Sequence, residues 1–150
     1  MKNLFLLISF MCVISVNGQT DDIALGNENI DMIVQLTTSQ KVAVVGNHTS
    51  VLSSSGTHLV DTLVSRGVDI VKVFAPEHGF RGDRANGALI HDDIDLKTGL
   101  PILSLHGKSR KPSPTTLSDI DIIIFDIQDV GARFYTYLST LLLVMEAAAE

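Results

Sequence analysis

DIIIFDI, residues 121–127, is the stretch that decides the fold. Ile122, Ile123, Ile124 and Phe125 leave it no polar face, whereas a strand wetted on one side alternates apolar and polar residues. It reads as a strand buried on both sides, the kind found in parallel sheets covered by helices. Working outward, KVAVVG (41–46) is a compact β-branched run halted at Gly46-Asn47, and DIVKVFA (69–75) is a second such run ended by Pro76. PILSL (101–105) is a brief third strand before His106-Gly107. Helical spacing separates these runs. Ile30, Ile33, Val34 and Leu36 follow Asn29 as an N-cap, and Leu59, Val60, Leu63 and Val64 share a face before Gly67. From Tyr137 onward Leu138, Leu141, Leu142 and Met145 form one apolar face. Residues 80–99, rich in Gly, Asp and Arg, predict a long surface loop with room for one short extended piece. Residues 108–118 predict a Pro- and Thr-rich loop ending in one helical turn.

Strands alternating with helices predict an α/β fold: a Rossmann-like open, mostly parallel sheet with helices on both faces. Right-handed crossovers restrict its winding, and a Rossmann order of 3-2-1-4 for the four main strands would set the second and fourth on either side of the first. The reading divides the chain into an export signal (1–18), a linker and first helix (19–39) and a Rossmann-like domain (40–150) that is incomplete at its C-terminal end. Lys2 supplies a positive start, residues 4–16 are almost wholly apolar, and Val16-Asn17-Gly18 offers a cleavage site. A membrane anchor is the competing reading, but the apolar run falls short of the roughly 20 residues that span a bilayer. The expected location is therefore periplasmic or extracellular.

Cys12 is the single cysteine and lies inside that leader, where Ser9-Phe10-Met11 lacks the small residue that precedes a lipid-modified cysteine. Beyond it no disulfide, thiolate nucleophile or thiolate metal site is available, so stability must come from a packed core. The formal net charge is -6 and no basic run occurs, which argues against nucleic acid and against a stable membrane partner.

Ligands of open parallel sheets bind beyond the carboxyl ends of the strands. Asn47, His48 and Thr49 follow the first strand; Glu77 and His78 the second; His106 the third; Asp126, Gln128 and Asp129 end the fourth. In APEHGF (75–80), Pro76 fixes the exit from the strand and Gly79 permits a sharp turn, holding Glu77 and His78 between them. A carboxylate at such a rim, partly desolvated by apolar neighbours, keeps a proton and serves as a general acid; the bland alternative is a capping Glu and a solvated His. In FDIQDVGARFYTY (125–137), Asp126 and Gln128 alternate to one side and Asp129 to the other, with Arg133, Tyr135 and Tyr137 at the junction with the next helix. Aromatic faces and planar polar groups suit a sugar ring and its hydroxyls. The structural alternative pairs Arg133 with Asp126 or Asp129 and makes the tyrosines a half-buried wall.

The motifs VVGNHTS, VFAPEHGFRG and FDIQDVGARFYTY, in that order, resemble the NamZ-type exo-β-N-acetylmuramidases from about residue 40 to the end. The resemblance implies a longer protein, with a Rossmann-like N-terminal domain, a smaller C-terminal domain and a site in the cleft between them. It implies release of N-acetylmuramic acid from the non-reducing end of peptidoglycan-derived muramyl saccharides, without a cofactor, and sets no oligomeric state. Carried over, the site comprises Asn47, His48, Glu77, His78, Arg81, Asp126, Gln128, Asp129, Arg133 and Tyr135. Glu77 is the expected acid, Asp126 its partner as base or as stabiliser of a cationic transition state, and Arg81 or Arg133 the partner of the lactyl carboxylate.

Three rival readings stand beside it. A nucleotide-binding domain fits the fold, but residues 46–51 read Gly-Asn-His-Thr-Ser-Val, where a G-x-G-x-x-G turn would stand. A metal-dependent hydrolase could draw on His48, Glu77, His78 and Asp126, although no H-E-x-x-H occurs and Asp92, Asp93 and Asp95 do not form a calcium loop. The third is a fragment that binds glycan without turning it over.

Overall fold

In the computed structural model, which describes residues 24–82 and 91–150, the strand at the heart of the sheet is VAVVG rather than IIIFD. The expected export signal lies outside the described residues. β1 (Val42–Gly46) is buried along its whole length, with parallel neighbours on both sides: β2 (Ile70–Ala75) and β5 (Ile122–Asp126). β4 (Pro101–Ser104) pairs parallel with β2, and β3 (Asp93–Ile94) adds an antiparallel edge in the order β3-β4-β2-β1-β5. The four parallel strands thus take the expected Rossmann order, and β3 is the short extended piece in the loop. β5 corrects the expectation of a strand buried on both sides: each of its residues is only half-buried, because it is an edge strand whose outer side has no partner among the described residues.

Alternation along the strands divides the core into two layers. On one face Val42, Val44, Val73, Ile122 and Ile124 meet α1 (Ile30–Leu36) through Ile33 and Val34, and α2 (Leu59–Ser65) through Leu59 and Leu63. On the other, Ala43, Val45, Phe74, Ile123 and Phe125 meet Leu117 of α3 (Pro114–Leu117) and Val144 of α4 (Tyr137–Ala149). Each fully buried Val or Leu in these layers contributes roughly 1.5–3 kcal/mol.

The capping of α2 follows from one residue that the periodicity passes over. His58 accepts the Val60 N–H at Nδ1 (3.3 Å), which leaves Nε2 to donate to the Asn47 carbonyl (2.9 Å). Burial holds its pKa below the ordinary imidazole value, with nearby Arg81 acting in the same direction, so the ring is a neutral cap. α4 differs from expectation. Its buried face carries Tyr137, Thr140, Val144 and Ala147, while Leu138, Leu142 and Met145 are 70%, 61% and 60% exposed. The stripe of Leu138, Leu142 and Met145 faces outward instead.

Candidate active site

The carboxyl ends of β1, β2 and β5 meet in one rim, with Asn47 at its centre. Gly46 lies opposite Asp126 in the β1–β5 register, and a Cβ at Gly46 would stand 2.8 Å from Ser50 Oγ. Only glycine fits there, and Ser50 uses the space. Its Oγ accepts the Asn47 N–H (3.0 Å) and donates to the Asp126 carbonyl, tying the exits of the two strands together. Asn47 is fully buried; its Oδ1 accepts both the N–H and the hydroxyl of Thr49 (2.8 and 2.7 Å). Thr49 Oγ1 in turn accepts the Gln128 N–H (2.9 Å). The first and third motifs are therefore hydrogen-bonded into one unit.

The side chain of Asp126 shares the face of Ile122 and Ile124 and opens onto a cavity of about 580 Å³. The cavity is lined by Asn27, Thr49, Val51, Leu59, Phe125 and Gln128 among others. Burial raises the Asp126 carboxyl above its ordinary pKa, opposed by a hydrogen bond from Asn27 Nδ2 at 3.4 Å. Asn27 belongs to a segment that reads as solvated linker; its last residues instead form a 3-10 turn, Gly26–Glu28, packed on the site.

Glu77 stands on the other side of the rim, where its Oε2 accepts the Thr136 hydroxyl at 3.3 Å just ahead of α4. Tyr137 is 6% exposed; burial raises its pKa, the Asn47 side chain partly offsets this, and the negative charge of Glu77 adds to the rise. The Asn47 amide faces the Tyr137 hydroxyl, and its buried Nδ2 has no well-formed hydrogen bond among the described residues. The strands carrying Glu77 and Asp126 flank β1, as expected. The two side chains face opposite sheet layers, and neither of the two described cavities is lined by both.

His78 adopts a left-handed backbone (φ 73°) immediately before left-handed Gly79, and Gly79 N–H closes the turn on the Pro76 carbonyl (3.1 Å). A left-handed histidine costs on the order of 1–2 kcal/mol, a strain typical of residues held for function. His48 is exposed and packs on Gly82, where a Cβ would meet its own Cβ at 2.7 Å.

Arg81 has a different place from the one the resemblance implies. Its guanidinium is forked between Asp61 (2.8 Å) and Asp95 (2.7 Å) and lies 4.5 Å over the ring of Phe80, which is buried in the core and meets His58 edge-on. Burial opposes the charges in this cluster and the ion pairs outweigh it, so Asp95 falls to about 2 and Arg81 rises. The fork ties α2 to the β3–β4 hairpin, and a lactyl carboxylate would have to displace two carboxylates to use it. Arg133, in contrast, is exposed and makes no ion pair with any described residue, including Asp126 and Asp129. Asp129 accepts the Gly131 N–H (2.7 Å) and shapes the turn, and Tyr135 is 49% exposed beside Tyr137, with ring centroids 6.1 Å apart. His106 lies in a second cavity of about 550 Å³ over β2 and β4, with Lys108 and Lys111. Among the described residues no three His, Asp or Glu side chains gather as a metal site.

Sequence reasoning missed Asn27, Ser50 and His58. A cap signal ahead of the Leu59 periodicity could have found His58; nothing local marks Asn27, whose partner is 99 residues away.

The family described as exo-beta-N-acetylmuramidase NamZ, N-terminal, matches residues 42–150. Peptidoglycan beta-N-acetylmuramidase NamZ of Bacillus subtilis (strain 168) is 48% identical over 106 residues, which is 70% of this chain and 24% of that relative. Two crystal structures of DUF1343 family proteins from Bacteroides fragilis NCTC 9343 are each 40% identical, with TM-scores of 0.69 and 0.68. They cover 79% and 83% of this chain, and the chain covers 29% and 31% of theirs. The chain spans about a quarter of the length of the curated relative it matches. Since the matched segment runs through all three rim motifs and all five strands, the chain belongs to the NamZ N-terminal family.

Proposed function

We propose that this chain forms one wall of an exo-acting glycoside hydrolase that releases N-acetylmuramic acid from the non-reducing end of peptidoglycan fragments. The observation that carries the reading is the rim itself: Glu77 just beyond β2 and Asp126 at the end of β5, the two strands flanking β1, with buried Asn47 at the end of β1 between them. Strands two positions apart in a sheet are about 10 Å apart. A water-mediated inversion uses carboxyls roughly 6.5–9.5 Å apart and a covalent route about 5 Å. Glu77 and Asp126 face opposite layers here, so they must turn toward a common substrate for either, and the wider inverting spacing asks less of them.

In this mechanism Glu77 is the general acid. It protonates the leaving glycosidic oxygen while Asp126 receives a proton from the attacking water or steadies the cationic sugar. The raised pKa of Asp126 favours a second assignment, in which Asp126 carries the proton and Glu77 is the base. Arg133, exposed and without an ion pair to any described residue, is the better partner for the lactyl carboxylate, and Tyr135 offers an aromatic face to the sugar. Export to the periplasm or cell exterior follows from the leader and from where such fragments arise.

Glycan binding without turnover is the alternative, and it is favoured by the separate facing of the two carboxylates. Release of N-acetylmuramic acid should be measured on this chain and on a full-length relative, each with Glu77→Gln or the matching change. Turnover that falls by a factor of a hundred or more, about 10²–10⁴ for a lost acid, supports the acid role. Near-unchanged turnover in the relative refutes it, and binding by this chain without release establishes the alternative.

A further inference from the structure

We infer that Asn27 is a positioning residue for Asp126, delivered by the 3-10 turn Gly26–Glu28 and locked in place by Glu28. This turn lies ahead of the segment that matches the family, which begins at residue 42. Its attachment is nevertheless specific. Glu28 turns away from the cavity and accepts hydrogen bonds from Ser53 Oγ (2.8 Å), Ser54 N (3.0 Å) and Ser54 Oγ (2.7 Å). These bonds hold the Glu28 carboxyl below its ordinary pKa, the Ser54 hydroxyl foremost. A carboxylate that accepts three donors from one loop acts as a staple, fixing the turn on the loop that follows β1.

With the turn fixed, Asn27 reaches inward. Its Nδ2 is shared between the Val51 carbonyl (3.3 Å) and Asp126 Oδ2 (3.4 Å). Among the described residues, Asp126 is the only ionisable side chain lining this cavity; the other polar ones are Asn27, Thr49, Ser53 and Gln128. No cation among them offsets the desolvation of Asp126, so the orientation of its carboxyl depends on this amide and on the backbone ties of β5. Asn27 Oδ1 is buried and has no hydrogen-bond partner among the described residues. An amide has both a donor end and an acceptor end, so a half-turn of the side chain would present Oδ1 to Asp126 in its protonated form. Asn27 is thereby suited to hold the carboxyl in either protonation state. The consequence for turnover rests on the role proposed above for Asp126; the positioning itself does not.

The test is a carbon-13 NMR titration of the Asp126 carboxyl in the 150-residue chain, with Asp126→Asn to assign the resonance. Asn27→Ala should move the midpoint upward, because a donor to the carboxylate is lost. Glu28→Gln, which leaves Asn27 intact and weakens the staple, should move it in the same direction by less, and guards against simple unfolding by Asn27→Ala. A midpoint in Asn27→Ala that superposes on wild type, with the fold retained, overturns the inference. Replacing an asparagine on the equivalent turn of a full-length relative that carries one there separates the two ideas. If the carboxyl midpoint moves while the pH profile of sugar release does not, Asn27 positions Asp126 and the catalytic role of Asp126 fails.

Discussion

Gly46 and Asp126 stand side by side at the ends of β1 and β5, and the hydroxyl of Ser50 fills the space that the missing Cβ of Gly46 leaves before it reaches the Asp126 carbonyl. This join sets the height of Asp126 above the sheet. Gly46→Ala should therefore destabilise by about 1–3 kcal/mol, the usual cost of overpacking a closed interior. Denaturant unfolding of Gly46→Ala, Ser50→Ala and the double variant checks the cause: the double variant should lose less than the sum of the singles, because the alanine methyl then has room.

Asp126 gives a pH signature opposite to that of most carboxylates. Its folded pKa is raised by burial, so the folded state favours the proton, and its contribution to stability is greatest below the unfolded value of about 3.9 and is lost as pH rises through the folded pKa. Asp126→Asn should be more stable than wild type at neutral pH, with the gain disappearing at about pH 4 and below. Thermal unfolding across that range measures it.

Arg81 predicts the reverse dependence. Asp95 is depressed to about 2, so the stability it contributes is present above about pH 4 and is lost as pH falls toward about 2. Arg81→Ala leaves Asp61 and Asp95 without their shared cation and should cost roughly 3–5 kcal/mol, while Arg81→Lys recovers only part of that because it lacks the fork. The variant should also show a flatter acid limb in urea unfolding.

Two of the three left-handed positions of the second motif, His78 and Gly82, differ in what they tolerate. His78→Gly relieves a strained backbone and should raise stability by about 0.5–1 kcal/mol, a rise in Tm of a few degrees. Gly82→Ala meets both a positive φ (73°) and the Cβ of His48, and should lose about 1–3 kcal/mol. If His78→Gly gains stability while a full-length relative with the matching change loses turnover, the strain at His78 is retained for function.

What the sequence made legible was whatever local pattern controls. The short apolar runs announced every parallel strand, Pro76 marked the end of β2 and Gly67 that of α2, and the polar residues just beyond the strands marked the rim. Burial was misjudged where it depends on neighbours distant in sequence. Residues 122–125 are more apolar than residues 42–45, yet position in the sheet, rather than composition, made β1 central and β5 an edge. The leucines of α4 share a face, but Tyr137, Thr140, Val144 and Ala147 take the inner side. Arg81 was read as a ligand for substrate because its motif matches, while the carboxylates that hold it lie 20 residues before it and 14 after. Asn27 carried no signal at all, since a polar residue near a glycine reads as linker until its distant partner is known.

The central claim is that the rim where β1, β2 and β5 end receives a muramyl sugar. The direct measurement is an amide NMR titration of the 150-residue chain with N-acetylmuramic acid, with N-acetylglucosamine as the control. Residues 47–49, 77–79 and 126–135 should shift together, more strongly with the muramic sugar and less so in Arg133→Ala. Shifts confined to the cavity around His106 and Lys108, or none at the rim at saturating sugar, would contradict the claim.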